Sequence, residues 1–210
     1  MNTKSQKSEV RSQKSEKRHS KLQTLPPQVL SRGPNSKLIF ILGGARRGKS
    51  AYALTLAESM AGKRLYLATA QALDKEMGEK IKKHKRERGS NWVTIEEPIH
   101  VADVVRGNKK HDVILLDCLT LWLSNLITNY ELRITNLDLQ IAKQIASLIS
   151  ACKKTKANII VVSNEVGLGI VPDNPLARQF RDIAGVANQK MAQAADEVYF
   201  VTVGISMRMK

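Results

Sequence analysis

Leu38-Ile39-Phe40-Ile41-Leu42-Gly43-Gly44-Ala45-Arg46-Arg47-Gly48-Lys49-Ser50 is the stretch on which the reading of the whole chain turns. An apolar run of strand type ends in glycine, and Gly43, Gly48, Lys49 and Ser50 fit the P-loop spacing G-x-x-x-x-G-K-[ST]. Glycines at these positions let successive backbone N–H groups converge on phosphate oxygens. Lys49 is then placed to neutralise a β/γ-phosphate, Ser50 to offer a hydroxyl to Mg²⁺, and the following helix to aim its positive end at the anion. The run Ala51-Tyr52-Ala53-Leu54-Thr55-Leu56-Ala57-Glu58 supplies that helix. The sequence therefore predicts a protein that holds the phosphate chain of a nucleotide.

Downstream, apolar runs and amphipathic stretches alternate. Strands are expected over 38–42, 64–68, 92–95, 113–116, 159–162 and 197–203, and helices over 49–60, 73–88, 99–106, 119–129, 137–153 and 176–194. Such alternation predicts an α/β fold, a mainly parallel sheet with helices on both faces. Continuous apolar strands such as Ile159-Ile160-Val161-Val162 suit a sheet buried on both sides. The sequence around Gly204 reads as a terminal hairpin. In sheets of this kind ligands sit beyond the C-terminal strand ends.

Composition bounds the alternatives. The 210 residues are 42% hydrophobic, enough for a core, yet no apolar run approaches the length of a membrane span. The N-terminal charges are not followed by an apolar stretch, so a secretory signal is not expected. The two cysteines, Cys118 and Cys152, lack metal-ligand spacing and read as core thiols of a reduced, cytoplasmic protein. Of the net charge of +15, residues 1–36 carry +6 and residues 37–210 the remaining +9. That tail contains no aromatic residue to stack on bases. It reads as a solvated, disordered basic extension, not a nucleic-acid arm, in front of one domain at 37–210. Two short echoes, one at 5–18 and one at 127–137, read as low-complexity additions at positions that tolerate insertion.

Three further groups can carry chemistry. Asp117 closes the run Val113-Ile114-Leu115-Leu116, where a carboxylate serves either magnesium and nucleotide or the capping of the next helix. Leu73, Met77, Ile81 and His84 share one face of the expected 73–88 helix, which turns His84 inward amid Lys82, Lys83 and Lys85. Neighbouring cations disfavour its protonated form, and neutral imidazole can attack phosphorus. A core or capping histidine on a basic helix has the same spacing. His19, His100 and His111 stand in tail or loop contexts. Ser163-Asn164-Glu165-Val166-Gly167-Leu168-Gly169-Ile170-Val171-Pro172 forms a polar and glycine-rich lip after the 159–162 strand. Arg178 and Arg181 follow, three apart, to grip a phosphate together or to pair with Asp182.

Taken in order, these segments resemble the bifunctional adenosylcobinamide kinase / adenosylcobinamide-phosphate guanylyltransferase family, from about Leu38 to Lys210. The P-loop carries the resemblance, with Tyr66-Leu67-Ala68-Thr69-Ala70, Ile81-x-x-His84-Lys85, Trp92-x-Thr94-x-Glu96-Glu97-Pro98 and Leu115-Leu116-Asp117-Cys118-Leu119-Thr120. Its most specific marks are Ser163 through Pro172 and Arg178-x-Phe180-Arg181-Asp182-Ile183-Ala184-Gly185-x-x-Asn188-Gln189.

The resemblance implies a RecA-like P-loop fold and two reactions. One phosphorylates the aminopropanol hydroxyl of adenosylcobinamide from GTP or ATP. The other transfers GMP from GTP to that phosphate through a GMP-histidine intermediate, releasing pyrophosphate and forming adenosylcobinamide-GDP. It implies that the histidine is His84. Nucleotide contacts would fall on Gly43, Gly44, Ala45, Arg46, Arg47, Gly48, Lys49, Ser50, Ala68, Thr69, Ala70, Lys85, Arg86, Glu87, Arg88, Glu96 and Asp117, with Mg²⁺ on Ser50 and Asp117. Members are homo-oligomers, a trimer among the expected forms. The chain departs from the family at Arg47, where a small serine is usual, and at Lys83, where some relatives carry a second histidine. Two other readings are a member retaining one activity and a P-loop protein that binds nucleic acid through its basic tail. The second requires binding that weakens steeply with salt and is lost without residues 1–36.

Overall fold

The computed structural model describes residues 36–71, 91–131 and 136–210, without the side chains of residues 130 and 131. Seven strands form one sheet: β1 (Leu38–Gly43), β2 (Arg64–Ala68), β3 (Trp92–Glu96), β4 (Val113–Asp117), β5 (Asn158–Asn164), β6 (Glu197–Thr202) and β7 (Ile205–Arg208). Their order is β3-β2-β4-β5-β1-β6-β7. Every pairing is parallel except β6 with β7. The described helices are α1 (Lys49–Glu58), α2 (Val101–Gly107), α3 (Leu119–Glu131), α4 (Leu137–Lys154) and α5 (Pro175–Ala194).

The apolar runs become strands because both faces of the sheet are covered. Along β1, Leu38 and Phe40 face one core while Ile39 and Ile41 face the other, and all four are buried. The first core packs against α2, α3, α4 and α5, with Trp122 and Leu123 among its fully buried members. The second is closed by α1 through Ala53, Leu56 and Ala57. Both cysteines are free and buried in these cores. Burial raises the Cys118 thiol to about 11, with Asp117 adding to the shift, and raises Cys152 to about 12.

Three features refine the sequence reading. Strand β4 includes Asp117 and β3 includes Glu96, so both carboxylates sit on strand tips, not in loops. Helix α2 starts at Val101, later than expected, because the Glu97 carboxylate accepts hydrogen bonds from the N–H groups of Ile99 and His100 at 2.8 Å each. The internal echo at 127–137 is not a peripheral addition at its start. Helix α3 continues through it to Glu131, and Ile127 belongs to the core. The expected helix over 73–88, the remainder of that echo at 132–135 and nearly all of the basic tail lie outside the described residues.

Candidate active site

The site is built where β1, β5, β4 and β2 end together. Residues Glu96, Ala68, Asp117, Val162 and Ile41 stand in register on five successive strands, so the P-loop leaves β1 two residues past this row. Strand β5 lies between β1 and β4. That puts the P-loop strand and the Asp117 strand two steps apart, about 10 Å at ordinary strand spacing.

Glycine is required in the P-loop by packing as well as by phosphate. A Cβ on Gly43 would lie 2.2 Å from the Val201 carbonyl oxygen of β6. Gly48 has a φ of +92°, and a Cβ there would meet the Gly204 backbone at 3.2 Å. The Gly204 amide also donates to the Arg47 carbonyl at 3.1 Å. The β6–β7 turn thus braces the loop from behind. Arg46 sits in the left-handed region at φ 57°, and Ala45, Arg46 and Arg47 are exposed.

Gly48 is the N-cap of α1 and gives it no side-chain cap, and the first turn holds no acidic residue. The first N–H groups of the helix are therefore left for an anion. Lys49 is 6% exposed, and its ammonium donates to the Gly44 carbonyl at 2.7 Å. Burial pushes its pKa below the ordinary 10.5, while Cys118 and Asp117 pull the other way. Ser50 follows in the same turn, its hydroxyl without a hydrogen-bond partner among the described residues.

Asp117 is held from β2: the Tyr66 hydroxyl donates to its Oδ2 at 2.8 Å. Trp92 meets the Tyr66 ring edge-on at a centroid distance of 6.1 Å and fixes its tilt. Thr69 is fully buried. Its hydroxyl donates to the Cys118 carbonyl and accepts from the Cys118 amide, each at 2.8 Å. Its own amide donates to the Asp117 carbonyl, and its carbonyl accepts from Asn125. Thr69, expected to touch nucleotide, spends its polar groups clamping the β2 tip to the β4 tip. Ala68 and Ala70 flank it at the same edge.

A second buried network holds the β5 tip. Thr120 accepts from the Asn164 amide at 2.7 Å and lies 3.1 Å from the Ser163 hydroxyl. Ser163 donates to Asn188 Oδ1 at 2.8 Å, and Asn188 Nδ2 donates to the Asn164 carbonyl at 3.2 Å. The Glu165 amide then donates to the Gly43 carbonyl at 3.0 Å, joining this tip to the P-loop. Beyond it, Leu168, Ile170 and Val171 are exposed. Arg178 and Arg181 do not converge. Arg178 donates to the carbonyls of Pro172 and Asp173 at 2.9 and 2.6 Å, and Arg181 lies 3.5 Å from Asp182. These residues organise the lip and pair at the surface.

Glu96 ends β3, four strands from the P-loop strand. His84, Lys85, Arg86, Glu87 and Arg88 lie outside the described residues. Sequence reading missed Tyr66 as the partner of Asp117, although an aromatic hydroxyl two residues before a strand end was a usable signal. It also missed the hairpin as a brace, which no local pattern marks.

Ser50 and Asp117 offer hard oxygen donors near Lys49, the chemistry that Mg²⁺ takes when it shares a phosphate. No cluster of three or more His, Cys, Asp or Glu side chains exists among the described residues.

Comparison with known proteins identifies the family. The pattern of the CobU family, described as cobinamide kinase / cobinamide phosphate guanyltransferase, matches residues 39–209. The bifunctional adenosylcobalamin biosynthesis protein CobU of Escherichia coli K12 is 40% identical over 82% of this chain and 99% of its own length. CobU of Salmonella typhimurium is 42% identical over the same shares. CobP of Pseudomonas aeruginosa is 39% identical over 81% of this chain and 95% of its own. Among solved structures, the assembled ATPase EscN of the enteropathogenic E. coli type III secretion system superposes with a TM-score of 0.50 at 12% identity. It covers 80% of this chain and 43% of that one, a likeness of fold alone.

Proposed function

Since the chain belongs to the cobinamide kinase / cobinamide phosphate guanyltransferase family, we propose that the edge formed by the P-loop and Asp117 serves both of its reactions, with His84 as the nucleophile of the second. The protein is a P-loop, RecA-like enzyme of adenosylcobalamin biosynthesis that acts as kinase and guanylyltransferase. The observation that carries the site assignment is the buried Lys49 at the uncapped start of α1, within electrostatic reach of Asp117.

In the kinase step the amides of residues 43–50 and Lys49 hold the phosphate chain of GTP, or of ATP, and stabilise charge as the γ-phosphoryl passes to the cobinamide hydroxyl. In the guanylyl step an imidazole nitrogen of His84 bonds to the α-phosphorus of GTP as the bond to pyrophosphate breaks. The phosphate oxygen of cobinamide phosphate then bonds to that phosphorus and displaces the histidine. Two moderate displacements replace one difficult one. Ser50 and Asp117 would hold Mg²⁺, which would neutralise charge on the phosphate oxygens. Tyr66 and Thr69 keep Asp117 in position. Glu96 stands about 19 Å along the strand tips from the P-loop strand. Together with Ala68, Ala70 and the segment Lys85 through Arg88, it would line the path of the nucleotide.

The exposed Leu168, Ile170 and Val171 support an apolar surface for the corrinoid or for a neighbouring subunit of a homo-oligomer, a trimer by family resemblance. The catalytic unit is assigned to residues 37–210, a division supported by the family match beginning at residue 39. No helix among the described residues is long and apolar enough to cross a membrane, and both cysteines are free, which supports a cytoplasmic setting.

The test is intact-protein mass after incubation with GTP and Mg²⁺, comparing wild type with His84→Ala. A gain of one GMP in the wild type alone supports the assignment. No adduct in a wild type that binds GTP overturns it.

A further inference from the structure

Opposite the active site, at the N-terminal ends of β4 and β5, a cavity of about 640 Å³ opens between the end of α2 and the end of α4. Arg106, Lys109, Lys110, His111, Lys154 and Lys156 line it, with Asp112 the one acid among its walls. It is separated from the P-loop by the length of a strand, about 16 Å. We propose that this basic cavity is a second anion site that takes a compact polyphosphate, a ligand recognised by vicinal phosphate groups and not by a base. The proposal stands apart from the active-site assignment.

Four cations there are uncommitted. Among the described residues no ion pair or hydrogen bond engages the ammonium groups of Lys109, Lys110, Lys154 or Lys156. Arg106 is held by Asp103 at 2.5 Å and Ser147 at 3.0 Å, so it shapes the wall. Asp112 is engaged at its Oδ2, which accepts from the Lys63 amide at 2.9 Å. Helix polarity explains some of this charge, because Arg106 and Lys154 lie in last turns, where cations are favoured. It does not explain Lys109, Lys110 and Lys156, which lie beyond the helix ends.

His111 reports the resulting field. Burial lowers its pKa first, and Lys63 and Lys110 lower it further against a smaller pull from Asp112. Its Nδ1 is 2.6 Å from Asn108 Oδ1, which fixes Nδ1 as the proton carrier, so Nε2 donates to a phosphate oxygen only when the ring is protonated, a form that a bound polyanion would favour.

Size and composition narrow the ligand. The volume falls in the range of small-molecule pockets, about 300–1,000 Å³. No Phe, Tyr or Trp side chain lines it, so it lacks the broad ring on which a nucleobase stacks best. Lysines on flexible stems act as point charges that gather several phosphate oxygens without demanding one geometry.

The experiment titrates pyrophosphate into the full chain carrying Lys49→Ala, which weakens the P-loop, at fixed ionic strength by calorimetry. The same titration follows in a protein that also carries Lys109→Ala, Lys110→Ala, Lys154→Ala and Lys156→Ala. All four positions are exposed, and an unchanged thermal midpoint verifies the fold. One equivalent is expected to bind the first protein and shift the His111 ring signals in NMR. In the second, binding should weaken by about tenfold or more, as expected for lost charge-assisted contacts. Equal affinity in both proteins overturns the proposal. So does equal competition by sulfate at matched ionic strength, which would mark a diffuse counter-ion atmosphere. A nucleoside triphosphate that binds no better than tripolyphosphate identifies an inorganic source. A clear preference for the nucleotide over tripolyphosphate would mean that the nucleoside is read, and overturns the proposal.

Discussion

The two ends of the parallel sheet carry charge in opposite ways. At the C-terminal end the two ionised groups that define the site are partly or wholly buried and bound, Lys49 to Gly44 and Asp117 to Tyr66, although Arg46 and Arg47 beside them are exposed. At the N-terminal end, between α2 and α4, lysines are numerous, exposed and unpaired among the described residues. The first arrangement works by geometry, because a desolvated, oriented group acts strongly over a short range. The second works by field, summing weak, screened contributions. The contrast teaches that substitutions at the two ends should fail differently: singly and steeply at one, gradually and collectively at the other.

The largest expected effect is at Lys49. Lys49→Ala should lower both kinase and guanylyltransferase rates by about 10²–10³, the scale of losing one oriented donor to developing charge. Because burial of its ammonium is costly, the thermal midpoint should stay level or rise. A fall in stability equal to the fall in activity would break the distinction. The lowered pKa also sets a sign. The ammonium is lost on the alkaline side before pH 10.5, so nucleotide affinity should begin to fall below that value.

Next is Gly43→Ala, whose Cβ collides with the Val201 carbonyl. Denaturant unfolding should report a loss of about 3 kcal/mol, at the upper end for overpacking. Gly169→Ala, with nothing within 4 Å, is the control and should change little. Tyr66→Phe should cost about tenfold in activity and raise the Mg²⁺ concentration for half-maximal rate. It removes one hydrogen bond to a charged group, about 1.5–3 kcal/mol. An unchanged Mg²⁺ dependence would remove Tyr66 from the site. Val203→Asn should raise stability by about 1 kcal/mol, since Val203 and Gly204 both have positive φ, at 46° and 81°. The smallest effects belong to the basic end. Lys109→Ala or Lys154→Ala alone should move stability by less than about 0.5 kcal/mol.

What could be read from the chain divides along the same physical line. Local rules sufficed for β1, the P-loop and the tip carboxylate Asp117, because a buried strand followed by a phosphate loop is written in consecutive residues. They sufficed for α5 almost to its first residue, Asn174 capping the helix with Pro175 just inside it. Long-range partners were not legible. Thr69 reads as a nucleotide contact, and its hydroxyl is taken up by Cys118, far along the chain. Arg178 and Arg181 share a helical face by spacing, yet the carbonyls of Pro172 and Asp173 claim one of them. Ile127 was obscured by the echo around it, since a repeat in the sequence says nothing of which copy reaches the core.

The brace behind the P-loop gives the chain an order of completion. Synthesis delivers Gly43 and Gly48 early, but the surfaces they close against, Val201 and Gly204, belong to β6 and the turn that follows it, near the end of the sheet. A nascent chain can present the phosphate-binding signature well before it can hold it in shape. Such contacts, distant in sequence, are also the slow ones to form. The cradle for the nucleotide is among the first parts of the described sheet to be made and among the last to be finished.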